Sequence, residues 1–248
     1  MSASSSSPRV ALVTGANGGI GAAVARQLLA RGTATHVALG IHSSTAVAGE
    51  IAREQGDRAW LQPLDVTQPG DWQAAVSSIV ERHGRLDILV QAAGFHRDAL
   101  LGTMAVETWS GVVSGNLDSV FHGCQAVVRT MMGQRHGRIV NVSSLSALLA
   151  PPGQTNYAAA KAGVLALTQS LAKEVARAGI TVNAVCPGYI DTGALESLDD
   201  DTRRRLEAGI PMRRFGRPAE VAAAVDFLAS EAASYISGAV LKIDGGIF

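Results

Sequence analysis

The sequence predicts an α/β protein in which a parallel sheet carries helices on both faces. Short β-rich runs alternate with longer helical stretches about six times along the 248 residues, and several of the runs are apolar throughout. Uninterrupted apolar strands need cover on both faces, which a parallel sheet between helical layers provides. Strand–helix alternation of this kind is joined by right-handed crossovers.

The strands are expected at VALVT (10–14), VALGI (37–41), AWLQPL (59–64), DILVQAA (87–93), RIVNVS (138–143), TVNAVC (181–186) and AVLKI (239–243). Between them, GAAVARQLLARG and WQAAVSSIVERHG are apolar at helical spacing and end near a glycine, a common helix stop. No linker divides the chain, so residues 9–248 read as one domain after a loose Ser-rich tail at 1–8. The long strand-free segment 187–238 should hold helices of its own or a binding lid, placed here around 189–215.

Composition narrows the function. Hydrophobic residues make up 47% and charged residues 17%, and Lys+Arg balances Asp+Glu at 21 each. Such a chain packs a core and has no overall basic field for nucleic acid or anionic membrane. No signal peptide or membrane-length apolar run is visible, so a soluble, cytoplasmic protein is expected. Cys124 and Cys186 read as small core residues, and His42, His96, His122 and His136 show no ligand spacing, so no metal is assigned.

VTGANGGIGAAVARQLL places Gly15, Gly19 and Gly21 between the first strand and an amphipathic helix. Gly15 permits a tight exit, Gly19 lets backbone approach a pyrophosphate, and Gly21 lets the helix pack closely on the sheet. The spacing is G-x-x-x-G-x-G and departs from the common G-x-G-x-x-G. Asp65, ending the third strand, suits either an adenine contact or an ordinary turn cap. Tyr157 and Lys161 stand one helical turn apart on one face; alone, they suit a surface pair as well as a catalytic one.

Eight segments in order then carry a resemblance over nearly the whole chain: TGANGGIG, LDVT, AAG, NLDSVF, GRIVNVSS, YAAAK, ITVNAVCPGYIDT and SGAVLKIDGG. The sequence resembles the single-domain short-chain dehydrogenase/reductases, and within them is most similar to the 3-oxoacyl-(acyl-carrier-protein) reductases. The resemblance implies a doubly wound Rossmann sheet of about seven strands. It also implies a homotetramer joined through helices near 106–134 and 153–178, and a catalytic set of Asn116, Ser144, Tyr157 and Lys161. Ser144 is preferred to Ser143 because it lies 13 residues before Tyr157. The cofactor is expected to meet Gly15, Asn17, Gly18, Gly19, Ile20, Gly21, His42, Ser43, Asp65, Val66, Ala92, Ala93, Gly94, Tyr157, Lys161, Pro187, Gly188, Ile190 and Thr192.

In the implied chemistry Tyr157 is the acid in ketone reduction, Lys161 lowers its pKa and holds the nicotinamide ribose, and Ser144 steadies the carbonyl oxygen. Asn116 holds a water that feeds protons to Lys161. No carboxylate occurs from Val37 to Gly49, while His42, Ser43 and Ser44 suit a phosphate, so NADPH is expected over NADH. Gly18, where many relatives carry Arg, and QAAG at 91–94 in place of Asn-Asn-Ala-Gly are departures; the second is expected to bear on cofactor affinity. The expected reaction is reduction of an acyl-carrier-protein-linked 3-oxoacyl thioester in fatty-acid or polyketide synthesis, with Arg129, Arg135 and Arg138 as a basic rim for the carrier. The alternatives are oxidation of a free alcohol, sugar or steroid, and a catalytically silent dinucleotide sensor or scaffold. Tyr189, Leu195, Leu198 and Met212 are the apolar groups of the lid.

Overall fold

The structure, a computed structural model, describes residues 8–195 and 199–248. The expected tail falls almost wholly outside them, as does Leu198. All seven expected strands are present: β1 (Val10–Thr14), β2 (His36–Ile41), β3 (Ala59–Pro63), β4 (Ile88–Gln91), β5 (Gly137–Val142), β6 (Ile180–Pro187) and β7 (Val240–Ile243). They form one all-parallel sheet in the order β3-β2-β1-β4-β5-β6-β7. This is the doubly wound Rossmann arrangement, and its strand order reverses beside β1, opening a crevice at the carboxyl ends of β1 and β4.

Side chains of β1 alternate between two cores. Ala11 and Val13 pack under α1 (Gly19–Arg31), α2 (Ala46–Gln55) and α9 (Pro218–Ala229). Val10 and Leu12 pack under α3 (Pro69–His83), α5 (Ser119–Gln134) and α7 (Thr155–Val175). Full burial of a Leu or Ile contributes about 1.5–3 kcal/mol, so these cores on both faces hold the sheet rigid beneath its crevice. The helix expected near 106–134 is α4 (Val106–Val113), a π-helical turn at Ser114–Asp118, and then α5; the short α6 (Ser146–Leu149) precedes α7. The segment after β6 contains α8 (Asp200–Gly209) and α9, as its length required.

Two expectations change. β4 ends at Gln91, not at residue 93, because the Ala92 and Ala93 amides leave the ladder and donate to Thr14 Oγ1 at 3.1 and 3.2 Å. Arg138 belongs to no rim. It lies on β5, 3% exposed, and its guanidinium donates to the carbonyls of Gly137 and Gly179 and to Glu231 at 3.0 Å. A central strand leaves its side chains no route to solvent; Arg129 and Arg135 on α5 and its cap remain exposed. Cys124 and Cys186 are buried free thiols, and burial pushes Cys124 up to about 12.

Candidate active site

The glycine turn is built for close approach. Gly15 has φ +65°, and a Cβ there would stand 2.8 Å from the Ala93 amide nitrogen. A Cβ on Gly21 would collide with the Gly15 carbonyl, so only glycine lets α1 start this close to the turn. Gly18 takes the N-cap position of α1 with extended backbone and no side-chain cap, leaving first-turn amides for an anion. Gly19 lies beneath Thr192, where a Cβ would come within 2.8 Å of Cγ2.

A cavity of about 440 Å³ opens at the carboxyl ends of β1, β2 and β3. Of the expected cofactor residues, Gly15, Asn17, His42, Ser43, Asp65, Val66, Ala93 and Gly94 line it. Asn17 spends its side chain on the protein: Oδ1 accepts from the Val47 and Ala48 amides, and Nδ2 donates to Ser44 Oγ at 3.0 Å. It thereby fixes the turn between β2 and α2. Asp65 takes the turn-cap reading and also lines the cavity. Oδ1 accepts from the Thr67 amide and hydroxyl, which lowers its pKa, while Oδ2 faces His42 Nε2 at 3.7 Å. Ser44, expected beside the phosphate, lines the cavity too, and Gly40, Thr67 and Gly115 also line it although they were not among the expected residues. Gly40 had a sequence signal, since a glycine within a strand marks close approach; its Cβ would meet the Val13 carbonyl at 3.1 Å.

Gln91 points away from this cavity. Its amide donates to the Val120 carbonyl at 3.1 Å, to Asn141 Oδ1 at 3.1 Å and to Cys124 Sγ at 3.4 Å, joining β4, β5 and α5 below the site. The departure at 91 is a core exchange and makes no side-chain contact with the cofactor cleft.

A second cavity, of about 280 Å³, shares Gly94 with the first. It collects Ile20, Ala92, Ser144, Tyr157, Lys161, Pro187, Gly188, Ile190 and Thr192, with Leu195 at its edge. Ser143 lines this cavity too but donates its hydroxyl to the Lys161 carbonyl at 2.8 Å, whereas Ser144 stands beside the Tyr157 phenol. Lys161 is 3% exposed, donates to the Val142 carbonyl at 3.0 Å, and is pulled down by burial to about 8.

The expected lowering of the phenol by this lysine is not seen in the structure. Lys161 Nζ sits 5.7 Å from the Tyr157 ring centroid and is turned toward Val142. Burial raises the Tyr157 pKa, the neighbouring Ser144 hydroxyl opposes the rise, and the Asp98 carboxylate adds to it. Desolvation is the largest of these effects.

Asn116 is no solvated helix residue: it is fully buried within the π-helical turn. Its Nδ2 donates to the carbonyls of Phe95 at 2.7 Å and Val112 at 2.9 Å. Its Oδ1 is buried without a partner. A Cβ on Gly94 would stand 2.5 Å from that oxygen and 3.3 Å from Lys161 Nζ, so both polar atoms border the same gap.

The glycine cradle, the uncapped α1 amides, two joined cavities and the unpaired Asn116 Oδ1 fit a nicotinamide dinucleotide with its reactive end at Tyr157. Fold and site together define a dinucleotide-dependent oxidoreductase. Residues 15–247 match a family model described as enoyl-(acyl carrier protein) reductase. The chain is 45% identical to the 3-oxoacyl-(acyl-carrier-protein) reductase FabG of Vibrio cholerae over 97% of both chains. It is 43% identical to the Escherichia coli protein of the same name, again over 97% of both. With that of Thermotoga maritima it shares 42% identity over 96% of this chain and 97% of the relative. The chain belongs to the short-chain dehydrogenase/reductase family.

Proposed function

We propose that this protein reduces 3-oxoacyl thioesters carried on acyl-carrier protein to 3-hydroxyacyl thioesters, using NADPH. The observation that carries the reading is the pairing of the Ser144 hydroxyl and the Tyr157 phenol in one cavity, with the Lys161 ammonium buried behind them. Two hydroxyl donors in one cavity suit a carbonyl oxygen. The relatives named above reduce 3-oxoacyl groups by name, and their similarity spans the whole site.

Gly15, the α1 amides and Thr192 would hold the pyrophosphate, and Lys161 the nicotinamide ribose; when bound, the nicotinamide supplies hydride. Ser144 donates to the carbonyl oxygen and stabilises the charge that develops there. Tyr157 protonates that oxygen. Lys161 returns a proton to the phenolate, and its lowered pKa suits exchange near neutral pH. Asn116 Oδ1 accepts from a water that resupplies Lys161.

NADPH is favoured over NADH by the loop after β2. His42 and Ser43 line the cleft, and the loop itself carries no carboxylate to repel a 2′-phosphate. The kcat/KM ratio of NADPH to NADH should be at least about 10, and His42→Asp should cut NADPH efficiency about tenfold while sparing NADH, as one lost charge-assisted contact predicts. NADH efficiency above NADPH in the wild type would overturn this cofactor assignment.

The segment 189–215 serves as the substrate lid, with Tyr189, Leu195 and Met212 toward the acyl chain. The exposed apolar Val106, Trp109 and Phe121 along α4 and α5 support a homotetramer. No described helix is long and apolar enough to cross a membrane. Assays with acetoacetyl-CoA and a carrier-bound 3-oxoacyl chain test the substrate: turnover is expected, faster on the carrier. Failure on both, beside fast oxidation of a sugar or steroid, would overturn it.

A further inference from the structure

Four side chains outside the Asn-Ser-Tyr-Lys set close a polar ring around the mouth of the site. Ser144 Oγ accepts from the Ser146 amide at 3.1 Å. Ser146 Oγ donates to Gln154 Oε1 at 2.8 Å, and Gln154 Nε2 donates to Asp98 Oδ2 at 2.9 Å. Asp98 Oδ1 pairs with His96 Nδ1 at 3.0 Å, and the His96 ring stands edge-on to the Tyr157 ring, 5.9 Å between centroids at 61°. The ring thus begins at one reacting side chain and ends at another.

Its members come from three elements. Phe95–Ala99 follows β4, Ser144–Ser146 follows β5, and Gln154 is the N-cap residue of the helix that carries Tyr157 and Lys161. The loop is pinned to that helix by backbone as well: the Ala99 amide donates to Gly153 at 2.9 Å, and Asn156 Nδ2 donates to the Arg97 carbonyl at 3.1 Å. Gln154 is therefore the only side chain of the ring that bonds both the serine turn and the loop. An amide is suited to this task because it donates to the carboxylate and accepts from the hydroxyl at once.

We propose that Asp98 and Gln154 are positioning residues for carbonyl reduction, acting through Ser146 to aim the Ser144 hydroxyl and through His96 to hold a negative charge beside the Tyr157 phenol. The proposal rests on the carbonyl-reduction reading above. The Ser146 amide occupies one lone-pair direction of Ser144 Oγ, which limits the directions left for its O–H. A donor aimed in advance stabilises developing charge without reorganising during the reaction. Asp98 acts in the opposite sense on the phenol, since a carboxylate nearby disfavours the tyrosinate. The charged and titratable groups around His96 and the phenol are Asp98 and Arg97 on the loop, Lys161 on α7 and, behind Lys161, Cys186 on β6.

The positioning arm is tested with Gln154→Met and Ser146→Ala on whichever ketone the wild type reduces. Each should lower kcat about tenfold with KM and NADPH dissociation constant within about twofold, and the double variant should fall no further than the worse single. Multiplying losses, or a raised KM at unchanged kcat, would overturn the arm. The charge arm is tested with Asp98→Asn, a shape-conserving change. The chain has three tyrosines, so tyrosinate absorbance read against a Tyr157→Phe blank isolates one phenol. Its midpoint should move down by about half a pH unit in the variant, with the pH limb of alcohol oxidation following it. An unmoved midpoint overturns the charge role. This titration needs no substrate, so it decides the charge role even if thioester turnover fails.

Discussion

Tyr157→Phe is expected to lower kcat about 10³-fold while NADPH binding stays within about twofold. The variant removes one oxygen and its proton. Phenylalanine keeps the ring that meets His96 edge-on and lies under Lys161 Nζ, so packing at the mouth is preserved. The glycine cradle and the α1 amides, which carry the proposed pyrophosphate contacts, are on the far side of Gly94. What disappears is the proton donor to the carbonyl oxygen. Ser144 stays as a hydrogen-bond donor, but an aliphatic hydroxyl is a far weaker acid than a phenol, so it cannot replace the phenol as proton source. Steady-state rates combined with fluorescence titration of NADPH check both halves. Residual turnover above about a tenth of wild type would remove Tyr157 from the acid role, because proton transfer by a positioned group contributes at least about 10²-fold. A cofactor-binding protein without catalysis predicts a different result: no effect of the substitution on any rate.

The sheet was readable in the sequence because its strands are apolar on both faces, and that pattern survives without any knowledge of partners. The glycine turn was readable for a related reason: Gly15 and Gly21 stand where any Cβ would meet backbone. The side-chain directions were not readable. Four-residue spacing placed Tyr157 and Lys161 on one face, yet whether Nζ turns to the phenol or to Val142 depends on the end of β5, distant in sequence. Arg138 looked like a surface charge until β5 proved to lie inside the sheet, with Glu231 supplied from 93 residues away. The π-helical turn that buries Asn116 is set by packing of α4 and α5 against α7 and leaves no compositional mark. The Ser146–Gln154–Asp98–His96 chain is likewise a product of three loops meeting. Identity of the reacting groups was legible; the shells that aim them were not.

Lys161→Met should abolish turnover and at the same time stabilise the cofactor-free protein near neutral pH. Burial lowers the lysine from 10.5 to about 8, so the folded state favours the neutral amine relative to the unfolded chain. The sign follows from proton counting. Between about pH 8 and about pH 10.5 the unfolded chain binds more protons, so stability climbs with pH across that window. Below it both states are charged, and the folded protein carries the whole penalty, on the order of 3 kcal/mol for a shift of this size. Methionine removes that penalty at similar length. It also leaves the Val142 carbonyl without its 3.0 Å partner, which costs about 1 kcal/mol. The balance is a gain of about 2 kcal/mol at about pH 6.5, shrinking toward zero by about pH 9.5 as the wild-type lysine loses its proton. Urea midpoints of the two proteins at those pH values, at one protein concentration, measure it. A difference that stays constant with pH would show that the ammonium is not held under strain. The expected convergence would show that the site stores, in one buried charge, free energy that a polar ligand at the ribose position can recover.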